Sequence, residues 1–207
     1  MQLVNEWYYF ENALSSDVCD IILGLSDDEW GAGFVDNSKR KDGFTEKERR
    51  EGTERDWQEK KDLRTSDIKW IDGDNLVTAR EILAPYMVSA NTNAGWKFII
   101  ENMQNSQLTR YKEGEFYSWH RDGGGDHLYN QGGTVRKLSM TVCLNEDYEG
   151  GELQFCSYGQ TEHSIESPPQ GKGTVIVFPS FVDHQVAPVT KGTRYSCVTW
   201  FTGPPFI

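Results

Sequence analysis

From residue 96 to residue 201 the chain is a series of short runs rich in β-branched and aromatic residues: WKFII, QLTRY, KLSMTVCL, GELQFC, GTVIVFP and GTRYSCVTWF. Glycine, proline or an Asn-Glu-Asp turn separates most of them. Runs of this length and composition read as β-strands, so the second half of the chain is predicted to be all-β. Upstream, EWYYFENAL reads as one further strand. SSDVCDIILGL reads as a helix capped by Ser15 or Ser16, with Val18, Ile21, Ile22 and Leu25 on one face. A second helix begins near Asp74, with Leu76, Ala79, Leu83 and Met87 as its stripe, and Pro85 is expected to kink or end it.

Helices first and strands later predict a mainly β fold in which a few helices support a barrel or sandwich. The expected organisation is one domain over residues 1–207, with 1–95 as helical and strand support and 96–207 as the core. Seven Trp, nine Tyr and ten Phe supply large side chains for that core. The four cysteines are far apart with no C-x-x-C pair, which predicts free buried thiols rather than disulfides or a zinc knuckle.

A net charge of −11 argues against a nucleic-acid partner. The charge is uneven: residues 39–62 hold nine Lys/Arg and eight Asp/Glu, leaving 12 basic and 24 acidic residues elsewhere. That charged stretch, about 37–62, reads as a loop, and one so long in a compact domain suggests a functional segment. No signal peptide and no run near the roughly 20 apolar residues of a membrane span is visible. The expectation is a cytoplasmic protein with no membrane partner, and nothing in the sequence sets its oligomeric state.

The chemistry concentrates around RYKEGEFYSWHRDGGGDH, residues 110–127. Strand residues two apart share a face, so His120 and Asp122 are expected to point the same way. Two histidines and one carboxylate on one face of a metal, with open positions opposite, is the arrangement of non-haem Fe(II) oxygenases, although a zinc hydrolase could use similar ligands. His127, His163 and His184 are the candidates for the third ligand. His127 and His163 lie in polar loops and are expected to face solvent; His184 follows a strong strand and is favoured. Ten residues on, Arg194 shares a strand face with Ser196, Val198 and Trp200. A guanidinium beside a cavity needs an anion, and its planar fork suits a carboxylate. The implied partner is a dicarboxylate whose keto-acid end chelates the metal.

HRD, His184 and GTRYS, with GGELQF and FPS…DHQVAPV around them, resemble the 2-oxoglutarate/Fe(II)-dependent dioxygenases, and within them the prolyl 4-hydroxylase group and its PKHD-type relatives. The similarity runs from about residue 96 to the end. It implies a double-stranded β-helix (a jelly-roll, cupin-like core), with His120, Asp122 and His184 as catalytic iron ligands and Arg194 on the distal carboxylate of 2-oxoglutarate. It further implies Tyr111 as a hydroxyl donor to 2-oxoglutarate, and Tyr117, Arg136 and Trp200 as residues lining or contacting substrate. DLRTSDIKWI resembles the Arg-x-Ser…Trp segment that borders a loop closing over the peptide, which brings Arg64 to the substrate and makes the charged loop a lid. Some members carry a tyrosine where this chain has Cys143.

The activity so implied is hydroxylation of an aliphatic C–H, foremost a prolyl residue in a peptide or protein, using Fe(II), 2-oxoglutarate and O2 with ascorbate as a candidate reductant. The rival readings are the same chemistry on a free amino acid or other substrate, and a jelly-roll binding module without catalysis.

Overall fold

The computed structural model describes residues 5–33, 63–122, 133–158 and 163–206. His127 and the charged segment 37–62 expected to form a lid lie outside these residues. In chain order the elements are β1 (Tyr8–Phe10), α1 (Ser16–Leu23), β2 (Gly31–Ala32), β3 (Asp67–Ile71), α2 (Gly73–Asn93), β4 (Asn102–Met103), β5 (Ser106–Lys112) and β6 (Tyr117–His120). They continue with β7 (Val135–Cys143), β8 (Tyr148–Gly150), β9 (Leu153–Tyr158), β10 (His163–Glu166), β11 (Val175–Pro179), β12 (His184–Val186) and β13 (Val189–Gly203).

Two antiparallel sheets form. The major sheet runs β1-β11-β7-β13-β5-β3-β2, with β4 and β8 also pairing with β13; the minor sheet runs β10-β9-β12-β6. This is the mainly β, jelly-roll architecture expected from the sequence. The major sheet draws β1, β2 and β3 from the first 95 residues as well as strands from the rest.

The central strands β7 and β11 and the second half of β13 are largely buried on both faces, and their runs are correspondingly rich in apolar residues. Leu138, Met140 and Val142 of β7, Val175 and Val177 of β11, and Cys197 and Phe201 of β13 pack with Cys19 and Ile22 of α1 and Ala79, Leu83, Met87 and Ala90 of α2. The alternate residues turn inward. Tyr111, Cys143, Ile176 and Phe178 meet Leu153, Phe155 and Val186 of the minor sheet in a second cluster. Strand alternation thus sends one set of side chains to the helices and the other into the space between the sheets.

Three local expectations change. The Ser15 hydroxyl accepts from the Val18 amide at 3.4 Å and caps α1, but the helix rests on Cys19 and Ile22 and leaves Ile21 52% exposed. Pro85 does not end α2, which continues to Asn93; the buried stripe on both sides of it offsets the lost amide hydrogen bond. Residues 96–100 form no strand. Gly95 and Lys97 take left-handed φ values of 76° and 54°, and the Asn91 side chain clasps the Phe98 amide and carbonyl, each at 2.9 Å. No helix among the described residues is long and apolar enough to cross a membrane. Their four cysteines are free thiols, as expected.

Candidate metal centre

β6 ends at His120, so Asp122 is not a strand residue as the H-x-D spacing predicts; it lies in the turn beyond. Its amide donates to the Ser180 carbonyl at 2.9 Å, which ties that turn to the end of β11. A β-bulge delivers His120. Val186 stands opposite Tyr117 and His184 opposite His120, so both Ser118 and Trp119 face the single residue Gln185. Three residues of β6 therefore span what two would in a regular ladder, and Tyr117 and His120 reach the same side.

One ligand atom from each of His120, Asp122 and His184 falls within 4.8 Å of the others. His120 Nε2 is 3.9 Å from Asp122 Oδ1, and His184 Nε2 is 3.7 Å from Asp122 Oδ2. Each imidazole has its other nitrogen engaged by the main chain two residues earlier: His120 Nδ1 lies 2.7 Å from the Ser118 carbonyl and His184 Nδ1 2.9 Å from the Val182 carbonyl. A carbonyl can only accept, so Nδ1 holds the proton and the Nε2 lone pairs turn to the shared centre.

The electrostatics favour ligation. Burial, reinforced by the charge of His184, pushes His120 down to about 3, so its imidazole is neutral at ordinary pH. For Asp122 burial acts upward, but His184, His120, Arg136 and the Ser139 hydroxyl together hold its carboxyl below the usual range. Ser139 Oγ donates to Asp122 Oδ2 at 2.6 Å and sits 2.9 Å from Ser180 Oγ. Two imidazole nitrogens and an ionised carboxylate fit a divalent first-row metal such as iron. The Tyr117 ring stacks on His120, and the Arg64 guanidinium lies 4.7 Å over the Tyr117 ring.

Arg194 is fully buried, with Nη1 donating to Ser196 Oγ at 3.0 Å. Its Nε and Nη2 have no hydrogen-bond partner, an expensive state for a guanidinium unless an anion completes it. Burial acts against its charge, but the Tyr148, Cys143 and Tyr111 side chains around it turn the balance and raise its pKa. Tyr111 stands opposite Arg194 across β5 and β13, its ring 5.7 Å from the guanidinium carbon. Gly151 leaves room for the arginine stem: with φ +68°, a Cβ there would meet Val189 Cγ2 at 2.8 Å and Arg194 Cδ at 3.0 Å. The two orphaned nitrogens fit a carboxylate such as the distal one of 2-oxoglutarate. Burial pushes the Cys143 thiol up, so it offers no charged group there.

The other expected site residues divide. Arg136 and Trp200 line a cleft of about 370 Å³ with Trp70, Gln104 and Asn105. Arg64 is buried, and its Nε and Nη2 are bound to Ser66 Oγ at 2.7 Å and Gln107 Oε1 at 2.9 Å. Backbone for His163 is in β10, at the far edge of the minor sheet from β6. Sequence reasoning did not single out Ser139, Tyr148 or Gln104, and it took in Trp70 and Gly151 only as members of the DLRTSDIKWI and GGELQF motifs. For Ser139 a partial signal exists: with Thr141 it places a hydroxyl at alternate positions of a buried strand.

A family profile described as the 2OG-Fe(II) oxygenase superfamily matches residues 106–202. A PKHD-type hydroxylase of Alteromonas mediterranea is 39% identical over 96 residues, 45% of this chain and 41% of that protein. One from Synechococcus sp. is 34% identical over 104 residues, 49% and 43% of the two chains. The chain therefore matches less than half the length of these relatives. The fold matches a Pseudomonas putida prolyl-4-hydroxylase with TM-score 0.63 and 19% identity, over 97% of this chain and 94% of that one. It also matches a Trichoplax adhaerens prolyl hydroxylase, in complex with a hypoxia inducible factor peptide fragment, with TM-score 0.68 and 16% identity, over 96% and 84%. The matched residues 106–202 hold His120, Asp122, His184 and Arg194, so the stretch that carries the candidate site is the one similar to the 2OG-Fe(II) oxygenase superfamily.

Proposed function

We propose that this protein is an Fe(II)- and 2-oxoglutarate-dependent hydroxylase acting on an aliphatic C–H of a prolyl residue in a peptide or protein. In this reading His120, Asp122 and His184 hold the iron, and Arg194 grips the distal carboxylate of 2-oxoglutarate with Tyr111 beside it. When bound, iron with 2-oxoglutarate and O2 supplies the C–H oxidation, with release of succinate and carbon dioxide. The protein's own contribution is positional. Ser118 and Val182 carbonyls fix the imidazole protons on Nδ1. Ser139 aims the carboxylate, and the Phe155 and Phe178 rings pack beside His184 and exclude water from that side. Tyr117, Arg136 and Trp200 are assigned to the substrate side of the metal, and Arg64 to the support of Tyr117.

The observation that carries the proposal is the pairing of two sets of unspent donors between the same sheets. Three ligand atoms converge within 4.8 Å, and a buried guanidinium keeps two free nitrogens. The prolyl assignment leans on the PKHD-type and prolyl hydroxylase likenesses. The test is incubation with Fe(II), 2-oxoglutarate, O2 and proline-containing peptides, with and without ascorbate. The expected result is a gain of one oxygen on proline matched by succinate. Succinate formation with oxygen appearing on another residue would overturn the prolyl assignment. Full turnover by His120→Ala or His184→Ala would overturn the ligand set.

A further inference from the structure

The cleft beside the metal centre holds donors without a matching acceptor. Trp200 is 7% exposed, lines the cleft, and its Nε1–H has no hydrogen-bond partner. The Arg136 guanidinium carbon lies over the Trp200 ring, 3.9 Å from its centre, and its Nε donates to Gln104 Oε1 at 2.8 Å. Trp70, 38% exposed, faces Trp200 across 6.4 Å and closes one wall.

Charge sharpens the case. Among the described residues no carboxylate pairs with Arg136; the acid it feels is Asp122, already committed to the metal centre. Trp200 stands opposite Ser139 in the sheet, and Ser139 holds Asp122, so cleft and metal centre share a wall. A ferrous dication, the 2-oxoglutarate dianion, the Asp122 carboxylate and the Arg194 guanidinium sum to neutrality. Arg136 remains as unmatched positive charge in a half-buried site, inside a chain whose net charge is −11. A substrate carbonyl could take the indole N–H but would leave the guanidinium without a counter-charge. A carboxylate answers both, one oxygen for the Trp200 N–H and one for the Arg136 fork.

We infer that this cleft reads a carboxylate on the substrate next to the carbon that is oxidised, bound by Arg136 and Trp200 under the Trp70 ring. The inference rests on the hydroxylase reading for the neighbouring reaction and adds to it the chemistry of the substrate. The carboxylate has two sources, an acidic side chain beside the target residue or the C-terminus of the substrate itself.

The test uses the full chain with Fe(II) and 2-oxoglutarate in the absence of oxygen, and follows tryptophan fluorescence while four probes are titrated. N-acetyl-prolyl-aspartyl amide is compared with N-acetyl-prolyl-asparaginyl amide, and N-acetyl-glycyl-proline with its amide. At least one acidic probe is expected to bind about tenfold more tightly than its neutral twin, the size of a charge-assisted hydrogen bond. Arg136→Gln should erase that preference and Arg136→Lys should restore part of it, with circular dichroism confirming that both fold. Preference within the first pair assigns a side-chain carboxylate, and within the second a chain terminus. If no acidic probe gains over its twin, or if the gain persists in Arg136→Gln, the inference is overturned. Because binding is read without oxygen, a failure to hydroxylate proline would count against the hydroxylase reading alone.

Discussion

The Tyr117 ring lies 3.5 Å from the His120 imidazole, centre to centre, with the two planes 14° apart. The stack exists because the bulge in β6 puts residues three apart on one side of the strand, and Arg64 closes it from the other face of the phenol. A ligand ring so held has little freedom to swing away from a metal.

Tyr117→Leu should therefore weaken metal binding while Tyr117→Phe should not. An offset aromatic pair contributes about 1 kcal/mol, so the expected loss is about fivefold in affinity. Anaerobic calorimetric titration with Fe(II) reads it directly. Equal affinities for Leu and Phe variants would show that the ring merely fills space.

Ser139→Ala removes the hydroxyl that donates to Asp122. The carboxylate loses one of the influences holding its pKa down, and metal affinity should fall about 10- to 100-fold, as for other residues that orient ligands. The same titration checks it, with His120 and His184 left intact.

The metal-free protein should lose stability as pH falls. His120 is held down to about 3, whereas an unfolded histidine titrates near 6.5, so between those values the unfolded chain binds more protons. Stability thus rises with pH through that window. Asp122, whose pKa is also lowered, adds to the loss below the ordinary carboxylate range. Thermal melts from pH 3.5 to 7 should show the trend, and His120→Asn should flatten its upper part.

If Arg194 holds 2-oxoglutarate as proposed, Arg194→Ala should raise the KM for 2-oxoglutarate about 30-fold or more, since it would remove the buried guanidinium proposed to pair with the carboxylate. Gly151→Ala should act on the same residue from outside. Its Cβ would press on Val189 and Arg194 at a left-handed φ, and a stability loss of about 1–3 kcal/mol with a raised KM for 2-oxoglutarate is expected. A variant with an altered melting temperature but unchanged KM would separate backbone strain from any hold on Arg194.

The β body was legible because buried strands announce themselves: the runs holding β7, β11 and the second half of β13 are rich in β-branched and aromatic residues and are largely buried on both faces. Residues 96–100 carried the same composition and misled, because composition does not register the left-handed backbone at Gly95 and Lys97 or the clasp of Asn91. At the metal centre, His120, Asp122, His184 and Arg194 stood out by residue type and spacing. The route by which they meet did not. Strand alternation predicts that His120 and Asp122 align along one strand, whereas a bulge and a turn pinned to Ser180 bring them together. Ser139 and Gly151 act through contacts across strands, and a linear reading assigns such partners only once the register is known.

Both imidazoles have Nδ1 engaged by a peptide carbonyl two positions upstream rather than by another side chain. The choice of which nitrogen would face an ion is thereby written into the course of the backbone at Ser118 and Val182. Substitution at positions 118 and 182 can change every atom beyond Cβ without touching it, so the tautomer should survive wide sequence drift as long as those two backbones keep their course.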